Sequence, residues 1–309
     1  MLSRTADNLY WLGRYLQRAE NTARLLNVQA HLLLDMPRNI EFGWGALLEI
    51  LEVDALFREH YKDVSEENVV RFLLLDPRNP GSVASSLGAA RNILRVTRDR
   101  LPRELSERVN DLHLRLADGG ERTLGRARRQ EFLTRVTDGA LLVFGMLVAN
   151  MSHDVGFCFL RLGTNIEQAD MTTRIIDVRS ANLIRPKSVE DLAPFQNIQW
   201  MGVLRSLSAQ QMYQRHVRQR VRGASVLRYL LQDREFPRSV MSCLNLIAST
   251  LPLLPPSRAC ERTVQRTKAL LTDANIERLV EAGLHDFMDE VQVGIAKLHD
   301  DISAAYFRL

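Results

Sequence analysis

Apolar residues in this 309-residue chain recur at intervals of three and four, and no stretch sustains an interval of two. In the opening segment Leu9, Leu12, Leu16, Ala19, Ala23 and Leu26 fall on one helical face. Proline acts as punctuation: Pro37, Pro77, Pro80 and Pro102 are followed by none until Pro186. The intervals between them are long enough for helices that meet no breaker. The spacing therefore predicts an all-α fold.

The chain also resembles itself. LGRYLQRAENTARLLNV (12–28) returns as LGTNIEQADMTTRIIDV (162–178), an offset of 150. WGALLEILEVDALFREH (44–60) returns as WMGVLRSLSAQQMYQRH (200–216), an offset of 156. FLLLDPRNPGSVASSL (72–87) returns as YLLQDREFPRSVMSCL (229–244), identical at eight of sixteen positions. Three collinear matches point to an internally duplicated helical bundle, with a first repeat over 1–150 and a second over 151–309. Two similar halves are expected to pack about a pseudo-twofold axis, as isologous dimers do. No Gly/Ser linker divides them, so a single continuous domain over 1–309 is expected.

The first repeated segment carries a second, polar stripe beside its apolar one: Gly13, Gln17, Glu20 and Arg24, answered by Gly163, Glu167, Asp170 and Arg174. Two readings compete. In one, Glu20–Arg24 and Asp170–Arg174 are helix-locking i,i+4 pairs, contributing about 0.3–0.5 kcal/mol each if exposed. In the other, Arg24 and Arg174 bind a carboxylate or phosphate while Glu20, Glu167 and Asp170 orient a ligand. Gly13 and Gly163 would then allow close backbone approach.

Other features admit plainer readings. Ser82 and Ser239, each just after a proline, suit helix N-caps. Trp44 and Trp200 occupy matching positions among leucines and are expected in the core. The run YQRHVRQRVRGASVLRYL (213–230) holds five arginines and no acid; Arg215, Arg218 and Arg222 are expected to share a solvated helix face. His153-Asp154, His285-Asp286 and His299-Asp300 are adjacent in sequence, which does not bring their side chains together on a helix.

Bulk properties narrow the class. A formal charge of +4 gives no electrostatic case for nucleic acid. Three unclustered cysteines fit a reducing compartment. The N-terminus has no signal-peptide pattern, and the apolar run GALLVFGMLVANM (139–151) is short for a bilayer. A cytoplasmic protein with no membrane partner is expected. No P-loop, GxGxxG on a strand, HExxH, CxxC or GxSxG occurs, so no cofactor or metal is expected.

LYWLGRYLQRAENTARLL (9–26), the segment 162–178, FPRSV (236–240) and LHDDISAAYF (298–307) resemble, in that order, the alpha-E domain family: bacterial helical proteins named for a Glu-Arg motif. The family's Glu-Arg pair would fall at Gln17-Arg18 and at Glu167-Gln168, so each half keeps one member and has glutamine for the other. One composite site remains conceivable. The resemblance implies an accessory or partner subunit of a peptide- or amide-bond-forming system, alongside an ATP-grasp-type ligase or transglutaminase-like protein. A central polar pocket would be built from the acid–Arg helices. Gln17, Arg18, Arg24 and Arg174 are its candidate ligand-binding residues, and Glu20, Glu167 and Asp170 its candidate catalytic groups. The alternatives are an enzyme in its own right, with those carboxylates in acid–base roles and arginine clamps, or a purely structural helical scaffold.

Overall fold

The computed structural model describes residues 2–35, 43–184, 193–218 and 220–308. Among them are fifteen α-helices, two short 3-10 turns and no strand, the class that the apolar spacing predicts. The chain gathers into two compact units, neither of them contiguous in sequence. The first comprises Met1–Asn27, Gly43–Glu167 and Tyr306–Leu309; the second comprises Val28–Phe42 and Gln168–Ala305. Three of the four boundaries fall inside long helices, α1 (Ser3–Asp35), α8 (Val155–Ile184) and α15 (Leu284–Tyr306).

In the first unit, α1 and α8 bury the predicted stripe: Leu9, Leu12, Leu16, Ala19, Ala23 and Leu26 are all at most 2% exposed. The two helices meet backbone to backbone. A Cβ added at Gly13 would overlap the Leu160 carbonyl oxygen and lie 2.8 Å from Thr164 Oγ1. One added at Gly163 would overlap the Tyr10 carbonyl oxygen and lie 2.9 Å from its carbon. Only glycine permits that approach. The chain end returns beneath this crossing, with Phe307 against Tyr10 and Phe159.

Around it lie α2 (Gly45–Ile50), α3 (Asp54–His60), α4 (Glu66–Leu74), α5 (Val83–Val96), α6 (Arg103–Gly119) and α7 (Arg126–Asn150). Ser82 caps α5, its hydroxyl accepting from Ser85 N at 3.1 Å. Trp44 is buried, with Arg129 over its ring. The apolar run 139–151 belongs largely to α7, which over 25 residues is long and apolar enough to cross a membrane by length and composition. Phe132, Leu133, Val136, Val143 and Leu147 form its buried face, while Leu141, Leu142 and Val148 are exposed.

The second unit adds α9 (Ala193–Ser206), α10 (Gln210–Val217), α11 (Gly223–Gln232), α12 (Val240–Thr250), α13 (Arg258–Asp273), α14 (Ile276–Glu281) and α15 (Leu284–Tyr306). Ser239 caps α12, accepting from Ser242 N at 3.0 Å. Trp200 is buried against Gly223, where a Cβ would lie 2.9 Å from the indole ring. That close approach helps explain a correction. The arginine run 213–230 is not one helix: α10 ends at Val217, Arg218 turns into the left-handed region (φ 50°), and Arg220–Arg222 are non-helical. Arg215, Arg218 and Arg222 therefore share no helical face. The run's missing acid comes from elsewhere, since Arg228 pairs with Glu277 of α14. All three cysteines are free and buried.

Candidate functional site

The glycine crossing decides which polar groups meet in the first unit. Because α1 and α8 touch at Gly13 and Gly163, the side chains one to five residues further along converge beside the contact. Glu167, the last α8 residue of this unit, is 2% exposed. Arg18 grips it with both arms of its fork, Nε at 2.6 Å and Nη2 at 2.9 Å. Arg14 Nε adds a third charge-assisted bond at 2.7 Å. Arg18 and Glu167 are the two residues that survive of the Glu-Arg positions, and they form a bidentate pair 149 residues apart in sequence.

Burial alone would raise the Glu167 pKa, but the Arg18 and Arg14 guanidiniums outweigh it and hold the carboxyl at about 2. Arg14 lies over the Trp11 ring and Arg18 over that of Tyr15, so aromatic faces share their charge. The aliphatic stem of Arg18 runs beside Gly81, in the loop that enters α5. In that loop the Asp76 carboxyl is held well below the usual range, chiefly by the Arg78 fork, and it also accepts from Tyr61 Oη at 2.7 Å.

Glu20 makes a second cluster on α1. Fully buried, it accepts from Gln17 Nε2 at 3.0 Å and from both Nε and Nη2 of Arg24. Gln17 also donates to Asn21 Oδ1 at 3.0 Å. This is the i,i+4 lock that the sequence allows, closed by an amide that its pattern also contains.

In the second unit Asp170 and Arg174 form the corresponding lock, with Nε 3.0 Å from Oδ1; the pair is 17% and 22% exposed. Gln168 Nε2 donates to Thr172 Oγ1 at 3.2 Å, and Thr172 donates to the Arg238 carbonyl at 3.0 Å. The FPRSV loop is thus tied to the α8 polar stripe. The seven predicted site residues resolve into three local groups: Arg18 with Glu167, Gln17 with Glu20 and Arg24, and Asp170 with Arg174. Arg14 was not among them, although its position directly after Gly13 marks it as a neighbour of the crossing.

Neither His153 with Asp154 nor His285 with Asp286 acts as a hydrogen-bonded pair. Asp154 accepts from the N–H groups of Gly156 and Phe157 at the start of α8, and His153 stacks on Phe157. His285 turns instead to Asp177, Nδ1 at 2.8 Å, with Asp289 3.8 Å from Nε2. The Asp177 hydrogen bond, then the charges of Asp177 and Asp289, raise the His285 pKa. Among the described residues this trio is the group suited to a divalent cation: its ligand atoms lie within 4.8 Å of one another. The second unit also has an open cleft of about 670 Å³ lined by Arg215, His216, Arg218, Tyr229, Asp233 and Phe236.

Glu167 gives a pH dependence whose sign is fixed. Its folded pKa of about 2 lies below the ordinary 4.5, so its stabilisation is present above pH 4.5 and disappears as pH falls towards 2. Full loss amounts to on the order of 3 kcal/mol. Urea unfolding of wild type and Glu167→Gln across this range should show a stability gap that is constant near neutrality and narrows in acid. A gap independent of pH would refute the assignment.

A family model named Alpha-E, described as a predicted alpha-helical domain with a conserved ER motif, matches residues 1–307. "Uncharacterized protein Mb2597" of Mycobacterium bovis is 24% identical over 324 residues, spanning 96% of this chain. "Uncharacterized protein Rv2567" of Mycobacterium tuberculosis strain H37Rv matches with the same identity and span. The chain covers 35% of the length of each of these relatives. No solved structure matches.

Proposed function

The chain belongs to the Alpha-E family over essentially its whole length, and from that premise we propose that it is an accessory subunit of a peptide- or amide-bond-forming system. Its partner would be an ATP-grasp-type ligase or a transglutaminase-like protein, the association that the family resemblance implies. The observation that carries the accessory role is that the buried acids Glu167 and Glu20 are already held by guanidiniums of the same chain. Nearly all of this chain aligns with about a third of the length of each mycobacterial relative.

The polar stripe supports the same reading. Glu167 stays ionised across the neutral range and offers little basicity for proton transfer. Glu20 is enclosed by Gln17 and Arg24. Groups so occupied suit a rigid frame better than acid–base chemistry. Asp170 and Arg174, partly exposed, are the acid–Arg pair best able to meet a ligand or partner.

On this reading residues 1–150 and 151–309 are related halves about a pseudo-twofold axis. Support comes from reciprocal contacts: Gly13 against Leu160 and Gly163 against Tyr10 exchange when positions are shifted by 150. Gln29 and Arg179, which bond to each other, are likewise 150 apart.

The test is co-expression with an ATP-grasp-type protein from the same genome, followed by size-exclusion chromatography and an ATP-dependent ligation assay. Co-elution with a rise in ligation rate is the expected result. Separate elution with an unchanged rate would overturn the proposal.

A further inference from the structure

Arg179, on α8 in the second unit, is one of the largest fully enclosed side chains in the protein, 2% exposed. A guanidinium offers five N–H donors and always carries its charge. Here Nη2 donates to Gln29 Oε1 at 3.1 Å, while Nε and Nη1 have no hydrogen-bond partner. Among the described residues no carboxylate lies within ion-pair distance of it. The nearby acid Asp177 is engaged by His285.

The other enclosed ionic groups are built differently. Glu167 has two guanidiniums, and Glu20 has a guanidinium and an amide. A buried charge without a counter-charge is strongly unfavourable, and folded proteins neutralise or pair such groups. Burial pulls the Arg179 pKa down to about 10, which still leaves it cationic at neutral pH. A structural arginine would be saturated by carbonyls or carboxylates of its own chain. This one keeps Nε and Nη1 buried with no acceptor from its own chain.

We propose that Arg179, braced by Gln29, is the anchor of a binding site for a small oxyanion, a carboxylate or a phosphate group. The anion would supply the missing counter-charge and accept from Nε and Nη1. Gln29 Oε1 holds Nη2 and so fixes the rotation of the guanidinium. The enclosure selects for a compact anionic group, because the charge is reached only after the ligand has shed its water. This site is separate from the acid–Arg locks and from any partner role, so it stands or falls independently of the accessory-subunit reading.

The test is thermal unfolding of the full chain at constant ionic strength, with phosphate, acetate or succinate substituted for chloride. An anion that binds only the folded state raises Tm with concentration, by about 3–6 °C at a hundredfold excess over its Kd. A phosphate response with none from the carboxylates identifies a phosphate ligand, and the reverse a carboxylate. Arg179→Met, which fills a similar volume without charge, should unfold at or above the wild-type temperature in chloride and lose the response. Arg179→Lys keeps the charge without the fork and should respond at least tenfold more weakly. Calorimetric titration of phosphate and succinate into wild type provides a reading that depends on no variant. Absence of any oxyanion effect on wild type, or an equal effect on Arg179→Met, would overturn the proposal.

Discussion

Gly163→Ala is expected to destabilise the protein by more than about 3 kcal/mol, although the same exchange in an unconstrained helix gains about 0.5–1 kcal/mol. The reversal follows from what the methyl group meets. It would overlap the Tyr10 carbonyl oxygen and press on its carbon at 2.9 Å, and both are backbone atoms inside a helix. No rotamer change relieves that clash; the two helices must separate, and the tightly packed interior around them would lose contacts. Gly13→Ala should act in the same direction against Leu160. Gly145→Ala is the control, since nothing lies within 4 Å of its added Cβ and α7 is helical there. Urea unfolding followed by circular dichroism measures all three. A wild-type midpoint for Gly163→Ala would show that the helices are not in contact at that residue.

The second large effect is that of Glu167→Gln. Amide and carboxylate have the same shape, so packing is retained while the charge that holds Arg14 and Arg18 disappears. Two guanidiniums, only 11% and 24% exposed, are then left facing each other with no anion between them. Breaking an enclosed ion pair from one side costs about 3–5 kcal/mol. Arg58→Ala, which removes an exposed pair with Asp54, should change stability by less than about 1 kcal/mol. Changing Glu167, Arg14 and Arg18 together to methionine should recover much of the loss, because no charge then remains to be satisfied. If Glu167→Gln is as mild as Arg58→Ala, the cluster is not a structural anchor.

What could be read from the sequence was whatever depends on residues near one another along the chain. The interval of three and four gave the helices, and Ser82 and Ser239 gave two helix starts through their local capping pattern. Glu20 and Arg24 are four apart, so their lock was visible in the string itself. Glu167 was different: its partners lie 149 and 153 residues away, and only the crossing at the glycines brings them together. The departure from the family's Glu-Arg pattern hinted at Arg18, because each half kept what the other had lost.

Arg14 escaped notice because an arginine at a helix surface has no local signature of engagement. Arg179 escaped for the opposite reason: nothing in IIDVRS announces that its arginine is enclosed. The arginine run 213–230 misled because its composition suits a solvated helix. The chain instead breaks at Arg218, near the point where Gly223 closes on Trp200.

The three cysteines have an experimental consequence. Cys158 lies in the first unit, and Cys243 and Cys260 lie in the second. Burial raises all three thiols, that of Cys243 to about 12, so little thiolate exists in the native state. A thiol-specific reagent can modify them only in moments when the surrounding helices part. Labelling kinetics, resolved by peptide mass, would therefore time the opening of each unit separately in the unaltered protein, with no dye or engineered probe to disturb it.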